Sequence, residues 1–243
     1  MPKTLRNLRD LPSPDPGLLD SGTTLADRCG TYLKGLLLDG GLEPGQPISI
    51  AAVTRAMGVS RQPVMDAVRR LEIEGFIQVL PQIGCRVVAP QAEAVGDFFQ
   101  FFARAEGLVC RLAAQRRSEE QAGALQALAD SVLRESSIAG PPDSGDPTYR
   151  HLNRRLHNAI HDMARSPIAS EISASMWDRS DFYSRAAFGT LYFAPAVRRA
   201  HAAIVAAIVA RDADTADSVT VAHLSGVGER AVKRLKARLG ITD

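Results

Sequence analysis

The stretch from residue 49 to residue 89 combines two short apolar-periodic helices with a hairpin signal. Ser49 is placed to cap the first helix, and Gly58-Val59 predicts a tight turn before Ser60 caps the second. One buried face of the second helix is indicated by i, i+3, i+4, i+7 spacing, at Val64, Ala67, Val68 and Leu71. Two β-rich runs flank Pro81–Gly84. This pattern predicts a winged helix-turn-helix, a shape that fits the DNA major groove.

The same stretch resembles the DNA-binding domain of the GntR family of bacterial transcription regulators. The resemblance is carried by LEPGQPIS and by VTRAMGVSRQPVMDAVRRLEIEGFIQVLPQIGCRVV, and it covers Leu25 to about Val88. It implies a double-stranded DNA operator as partner, met by the start of the second helix and by the wing glycine. The predicted DNA-binding residues are Ser60, Arg61, Gln62, Met65, Arg69 and Gly84.

The chain departs from this family pattern at three places. Family members usually carry arginine where Ala51 and Met65 stand, and a basic or glycine-rich wing tip where Gln82-Ile83 stand. A bidentate arginine–guanine pair is worth about 1–3 kcal/mol of discrimination, so we expect an atypical operator or weaker binding. Residues 22–90 carry seven basic and six acidic side chains, a net charge of only +1. A helix-turn-helix used only for protein contacts is therefore the alternative interpretation.

The composition is that of a soluble globular protein with room for two domains. The 243 residues are 45% hydrophobic and 23% charged. No apolar run approaches the ~20 residues that a membrane span requires, and charge and proline interrupt Met1–Gly22. Cys29, Cys85 and Cys110 lack metal-ligand spacing and favour a reducing compartment. We therefore expect a cytoplasmic protein with no membrane partner.

The predicted fold class is mainly α, an N-terminal winged helix-turn-helix followed by a C-terminal antiparallel all-α bundle. Residues 1–22 are predicted to be a flexible arm, residues 23–90 the winged domain, and residues 95–240 a bundle of six or so helices. Ser118–Gln121 has the spacing of a capping box, and Ser166-Pro167 is typical of a helix start. The first bundle helix is predicted to bury Phe98, Phe101, Phe102, Ala105, Leu108, Val109 and Leu112.

Three histidines share helical faces with apolar residues in the predicted bundle. His157 lies four residues after Asn153, and His201 and His223 lie on the apolar stripes of two later helices. Three imidazoles and one amide oxygen converging in a core would suit a divalent ion such as zinc, nickel or manganese, and nothing calls for an organic cofactor. For any single histidine, a partly buried ring bonded to a backbone carbonyl is the stronger interpretation. His161 is a further candidate ligand or an ordinary core or solvated side chain.

The bundle region is also similar to the all-helical FadR-type (FCD) effector domain of the same superfamily. The similarity is carried by RAEGLVCRLAAQRRSEEQ, LNRRLHNAI and HAAIVAAIVARDADTADSVTVAHL. Metal-binding members carry Asp-x-x-x-His on one helix and two later histidines, which implies Asn153, His157, His201 and His223 as the metal ligands here. Asn153 replaces the aspartate, so we expect the site to lose part of its electrostatic affinity for a dication.

The resemblance further implies a small organic acid bound beside the metal. Family members often carry an arginine four residues before the glutamate of the first effector helix, but Phe102 stands at that position. An effector that is less anionic, or aromatic and held against Phe98, Phe102 or Trp177, is the resulting expectation. The predicted ligand-binding residues are Phe102, Arg150, Arg154, Tyr183 and Arg185.

The leading functional hypothesis is a ligand-responsive transcription regulator, more often a repressor in this family, acting as a homodimer and not as an enzyme. Two alternatives stay open. In the first, three histidines hold zinc in a metal-dependent hydrolase, with Asp162 or Asp178 as general base. In the second, the protein is a scaffold whose winged domain does not bind DNA.

Overall fold

The computed structural model describes residues 11–19, 22–138, 148–189, 191 and 194–238. Contacts divide the chain into two units, Met1–Pro90 and Gln91–Asp243, and each is considered by itself below. The elements of the first unit are α1 (Pro16–Leu19), α2 (Leu25–Leu38), β1 (Pro47–Ile48), α3 (Ile50–Met57), α4 (Arg61–Ile73), β2 (Ile77–Leu80) and β3 (Gly84–Val87). The elements of the second are α5 (Ala92–Arg116), α6 (Glu119–Ile138), α7 (Thr148–Ala164), α8 (Pro167–Phe188), α9 (Pro195–Val209) and α10 (Ala213–Arg238).

The first unit is a winged helix-turn-helix, which confirms the sequence prediction. Ser49 caps α3 by accepting a hydrogen bond from the Ala52 amide, 3.2 Å away. Gly58 takes the left-handed conformation, with φ of +64°, that turns the chain into α4. Helix α2 packs against α4, and both bury apolar faces. The second helix of the pair is thereby held on a packed scaffold with its N-terminal end exposed.

Two features of this unit differ from the sequence prediction. Strand β1 adds a third strand, since the antiparallel sheet has the order β1-β3-β2 and Ile48 pairs with Cys85. Two residues are too few for a period-2 pattern, so this strand has no sequence signal of its own. Within the predicted flexible arm, residues 16–19 form a helical turn, and the Tyr32 hydroxyl donates a hydrogen bond to the Pro12 carbonyl, 2.6 Å away. Residues 1–10, 20 and 21 of the predicted arm lie outside the described residues.

Six helices, α5 to α10, make up the described part of the second unit. Helix α5 contacts α7, α8, α9 and α10, so it forms the centre of the bundle. The predicted capping box at the start of α6 is confirmed, because Ser118 Oγ accepts from the Gln121 amide and the Gln121 side chain accepts from the Ser118 amide. The predicted start of α8 at Pro167 is confirmed as well. None of the described helices is both long enough and apolar enough to cross a membrane.

The buried face of α5 is shifted from the predicted one. Phe101 and Leu108 are 64% and 48% exposed, whereas Phe99, Ala103 and the carboxylate of Glu106 are buried. The prediction followed only apolar residues and therefore missed a face that has a charged residue at its centre. This error matters for function, because Glu106 organises the polar interior of the bundle.

Helices α5 and α10 approach each other closely at two glycines. A Cβ atom added at Gly228 would lie 2.4 Å from Phe99 Cβ, and one added at Gly107 would lie 2.3 Å from an Asp217 carboxylate oxygen. At Gly228 only a residue without a side chain leaves room for the opposite helix, whereas at Gly107 the Asp217 side chain would have to move. The close contact fixes α10 along the centre of the bundle, and α10 supplies one wall of the cavity described below.

Candidate functional site

The N-terminal end of α4 presents three polar residues to solvent. Ser60, Arg61 and Gln62 are all exposed. Ser60 occupies the N-cap position, but its hydroxyl makes no capping hydrogen bond. Among the described residues, Arg61 has no hydrogen-bonding or ion-pair partner. The hydroxyl and the guanidinium are therefore both available to a partner molecule.

A short polar network continues along the same helix. Asp66 accepts hydrogen bonds from Gln62 Nε2 at 3.0 Å and from an Arg69 guanidinium nitrogen at 3.1 Å. Met65 is half-buried between these residues. The aspartate holds both donors at the helix surface and also lowers the net positive charge of that surface. The face is thus polar but not strongly basic.

The wing is the hairpin of β2 and β3. Gly84 is exposed with φ of +140°, and Gln82 at the tip has φ of +62°. Ile83 is 83% exposed, so the tip presents an apolar side chain where a basic one would favour phosphate contacts. The predicted DNA-binding residues of α4 and the wing are therefore exposed or half-exposed. Their contact with DNA stays a prediction.

The second unit contains a cavity of about 770 Å³, a size typical of small-molecule sites. Helices α7, α8, α9 and α10 contribute side chains to it. Its polar lining residues include Tyr149, Asn153, Ser180, Asp181, Ser184, His201, His223, Arg230, Arg234 and Arg238. Its apolar lining residues include Trp177, Ala187, Phe188, Leu191, Val197, Leu224 and Val227.

The three predicted metal-binding histidines lie together. The ring centroids of His157 and His201 are 5.4 Å apart, and those of His201 and His223 are 5.2 Å apart. Burial lowers the pKa of His157 and, further, that of His201, and it lowers the pKa of His223 to about 4. All three rings are therefore neutral at neutral pH, the state in which imidazole binds a metal ion.

Several polar atoms beside these rings lack hydrogen-bonding partners. Asn153 Oδ1 and both ring nitrogens of His157 are buried and without a hydrogen bond in the described residues. Buried polar atoms are nearly always hydrogen bonded, so several unpaired atoms at one place are unusual. Among the described residues, however, no three His, Cys, Asp or Glu side chains are already arranged as a metal site. The prediction of metal ligation therefore stays untested.

Glu106 lies next to this group and is completely buried. Its Oε1 accepts hydrogen bonds from His161 Nε2 at 2.8 Å, from Trp177 Nε1 at 3.0 Å and from the Ser173 hydroxyl. Its Oε2 lies 3.4 Å from His157 Nδ1, without the geometry of a hydrogen bond.

The charge on Glu106 is supported by its neighbours. Burial opposes ionisation, but the imidazoles of His157 and His161 outweigh it, so the pKa of Glu106 lies below its usual value. Sequence reasoning used this glutamate only to locate Phe102 and assigned it no role. The signal was available, since Glu106 falls on the same helical face as Ala103 and Val109, where a lone charge is unexpected.

The five predicted ligand-binding residues do not line the cavity. Phe102 is buried against Trp177, with ring centroids 5.0 Å apart, and Tyr183 packs edge-on against Phe98. Arg154 bonds to Asp178 at 2.9 Å and to Asp181 at 3.4 Å.

Arg150 and Arg185 are half-buried elsewhere on α7 and α8. Their role in ligand binding stays a prediction, because none of the five residues lines this cavity. The arginines that line the cavity are Arg230, Arg234 and Arg238 of α10. Sequence periodicity shows which face of a helix is apolar, but it does not show which other helices pack beside that helix.

Comparison with known protein families assigns both units. The model for the FCD domain matches residues 97–226, more than half of the chain. The model for bacterial regulatory proteins of the gntR family matches residues 25–87. The chain belongs to the GntR family and carries an FCD domain. It is therefore a DNA-binding transcriptional regulator, and the family resemblance inferred from its motifs is confirmed.

Individual relatives and solved structures agree with this assignment. The HTH-type transcriptional regulator YdhC of Bacillus subtilis is 22% identical over 207 residues, covering 85% of this chain and 91% of the relative. The HTH-type transcriptional repressor RspR of Escherichia coli is 26% identical over 188 residues, covering 77% and 80%. The fold resembles that of E. coli McbR/YncC, with a TM-score of 0.70, 19% identity and coverage of 89% and 99%. A GntR regulator from Rhodococcus sp. RHA1 has a TM-score of 0.66 at 18% identity, with coverage of 87% and 99%.

Proposed function

We propose that this GntR regulator is a repressor whose operator affinity is set by a small organic ligand in the FCD cavity, bound beside a divalent metal ion. The observation that carries the proposal is a group of three neutral imidazoles and an unpaired amide oxygen, of which Asn153, His201 and His223 line a cavity of ligand size. The sign of regulation is supported by the name of the relative RspR, a transcriptional repressor.

The donor set suits a borderline divalent ion such as zinc, nickel or manganese. Imidazole nitrogens bind zinc at about 2.0–2.1 Å, which places neighbouring ring centroids roughly 5 Å apart, close to the separations found here. His157, His201, His223 and Asn153 would hold the ion. When bound, it would supply positive charge and an open position for an anionic group of the ligand. Asn153 adds no negative charge to such a site, so the protein should retain the ion less tightly than it would with an aspartate at this position.

Glu106 supports His157 in this proposal. A carboxylate beside Nδ1 favours the tautomer that carries its proton there, which leaves Nε2 as the donor to a metal. The 3.4 Å separation needs only a small rotation of the ring to become a hydrogen bond. Because Oε1 is anchored by His161, Ser173 and Trp177, the carboxylate itself is fixed in place.

Coupling between ligand and DNA requires two states of the protein with different ligand affinities. Binding to a two-part operator further requires two winged units whose spacing matches the two half-sites. A homodimer would supply these two units. Ligand binding in each FCD domain would then favour the state in which the two α4 helices no longer match that spacing.

The hydrolase alternative finds less support than regulation. It requires a general base beside the histidines, but Asp162 is exposed and Asp178 is bonded to Arg154. The matched families are transcription regulators. The scaffold alternative is less favoured than regulation, because both matched family models and the curated relatives are those of DNA-binding regulators.

A gel mobility shift with and without a chelator tests the proposal, combined with elemental analysis of the purified full chain. The probe is the duplex upstream of the protein's own gene. We expect a specific shift, a divalent metal in the purified protein, and a changed operator affinity after chelation. Absence of a shift with this duplex at low salt would reject regulation through it, and metal-free protein with unchanged DNA binding would reject the metal.

Asn153→Asp provides a sharper test of the ligand set. Restoring a carboxylate adds a negative charge to the site, so the variant should retain its divalent ion at higher chelator concentrations than the wild type. Asn158→Asp, an exposed position on the same helix, is the matched control and should leave retention unchanged. Equal retention in all three proteins would place Asn153 outside the coordination sphere.

A further inference from the structure

The cavity is elongated along α10. Its lining residues on this helix recur on one side over about four turns, at His223, Leu224, Val227, Arg230, Arg234, Ala237 and Arg238. With a rise of about 1.5 Å per residue, the backbone positions of His223 and Arg234 are roughly 16 Å apart. Helix α8 lines the cavity in parallel, from Trp177 to Phe188. A ligand that fills this space must be long.

The two ends of the cavity differ in chemistry and in exposure. At one end lie Asn153 and His201, both 5% exposed, together with His223. At the other end, Arg230 and Arg234 are exposed and stand one turn apart on the same side of α10. The histidine end is therefore the interior end, and the arginine end is open to solvent.

The two arginines of the open end have unused hydrogen-bonding capacity. Among the described residues, neither the Arg230 nor the Arg234 guanidinium has a hydrogen-bond acceptor or an ion-pair partner. Arg238 differs from them, because it donates to the Ala186 carbonyl and joins α10 to α8. The cavity-lining carboxylate Asp181 is already bonded to Arg154, so it does not neutralise the pair.

The wall between the two ends is mostly apolar. Leu224 and Val227 of α10, Trp177 of α8 and Val197 of α9 supply apolar side chains to the lining. Such a wall offers hydrophobic contact along the middle of a ligand and few hydrogen bonds. A short, fully polar acid would leave it uncovered.

We propose that the FCD cavity binds an elongated organic acid with polar groups at both ends, an apolar middle, and a terminal anion held by Arg230 and Arg234. One group meets the imidazole end, the chain lies along Leu224 and Val227, and the far anion bridges the two guanidiniums by charge-assisted hydrogen bonds. This inference rests on the proposed function only in taking the cavity as the effector site. The cationic residues that bind the terminal anion, Arg230 and Arg234, both belong to α10.

The test compares three probes on the full-length protein by titration calorimetry: dodecanedioate, dodecanoate and succinate. The wild type should bind dodecanedioate at least about tenfold more tightly than either of the others, because only this probe joins an apolar chain to two anionic ends. Arg230→Gln combined with Arg234→Gln should reduce dodecanedioate affinity to that of dodecanoate and leave dodecanoate binding unchanged. Lys233→Gln, an exposed α10 position outside the cavity lining, should behave as the wild type.

Three results would overturn the inference. The first is equal binding of dodecanedioate and dodecanoate by the wild type, and the second is binding of succinate alone or of no probe. The third is dodecanedioate affinity that survives in the double variant. The double variant changes two exposed side chains, so we expect it to fold. A thermal unfolding curve of this variant, together with the two single variants, distinguishes a loss of binding from a loss of folding.

Failure of the proposed function would be seen in a different measurement. The mobility shift without added acid tests DNA binding alone. A protein that binds dodecanedioate through Arg230 and Arg234 but shifts no duplex contradicts the regulatory proposal and leaves the ligand assignment standing. A protein that shifts DNA but binds no two-ended acid contradicts only the ligand assignment.

Discussion

At the scale of single residues, the interior of the FCD domain is organised by one buried carboxylate. Glu106 bonds to His161, Ser173 and Trp177 through the same oxygen, and its other oxygen faces His157. A buried charge is costly unless it is paired and hydrogen bonded, so the surrounding side chains are constrained to keep their places. The second oxygen lies beside the His157 imidazole, whose ring centroid is 5.4 Å from that of His201.

Glu106→Gln should weaken metal retention. The amide that replaces Oε2 would place a donor against the Nδ1 proton of His157, and loss of such a partner typically lowers metal affinity about 10–100-fold. Metal content is measured after dialysis against increasing chelator concentrations, with thermal unfolding in chelator as the check on folding. Glu171→Gln, an exposed position on α8, is the control. Retention equal to that of the wild type would refute the supporting role of Glu106.

Asp181→Asn should change how stability depends on pH. Burial raises the pKa of Asp181 to about 6 against the attraction of Arg154, so between about pH 4 and pH 6 the native carboxyl holds a proton that the unfolded one has released. Its contribution to stability is therefore full at low pH and is lost as the pH rises through 6. Between pH 4.5 and pH 7, the unfolding free energy of the variant relative to wild type should rise by about 2 kcal/mol.

Urea unfolding followed by the fluorescence of Trp177, the chain's one tryptophan, measures this difference in the FCD domain. Asp178→Asn, which removes the other carboxylate beside Arg154, is the matched control. A variant whose relative stability does not change with pH would mean that Asp181 is ionised throughout this range.

At the scale of helices, the contact of α5 with α10 determines where the cavity lies. Gly107 and Gly228 allow the two helices to approach, and the rest of α10 then extends past α8 with its lining side chains in one row. The position of the cavity thus depends on two residues that do not touch it.

Gly228→Ala should destabilise the FCD domain. The added methyl group would meet Phe99 Cβ at 2.4 Å, and overpacking of this kind typically costs about 1–3 kcal/mol. Urea unfolding monitored by Trp177 fluorescence measures the change. Gly123→Ala in α6 is the control, because nothing lies within 4 Å of its added Cβ and the better helix propensity should raise stability by up to about 1 kcal/mol. Equal stability of both variants would contradict the close approach.

Sequence patterns were sufficient wherever a few neighbouring residues decide the structure. The capping box at Ser118, the proline start of α8 and the turn at Gly58 depend on local hydrogen bonds and dihedral angles alone. Strand β1 depends on pairing with β3, which is distant in sequence, and was missed. Arg230 and Arg234 were missed for the same reason, since only the packing of the helices brings them to the cavity.

At the scale of the whole molecule, the chain joins a DNA-binding unit of modest charge to an FCD domain. With a net charge of +2 overall, general attraction to phosphate contributes little, and affinity must come from a few well-placed side chains. Two operator half-sites bound by a homodimer would multiply that small contribution. A regulator that binds weakly through each unit is also readily released when a ligand alters the dimer.

The most direct test of this account is the operator affinity of Arg61→Ala in a mobility-shift titration of the full chain. Arg61 is exposed at the start of α4 and has no partner among the described residues, so its loss should not disturb the fold. Specific binding should weaken by about 1–3 kcal/mol in this variant, while Arg104→Ala, an exposed change on α5, should have no effect. Unchanged affinity of Arg61→Ala for the operator would contradict the placement of α4 in the DNA groove.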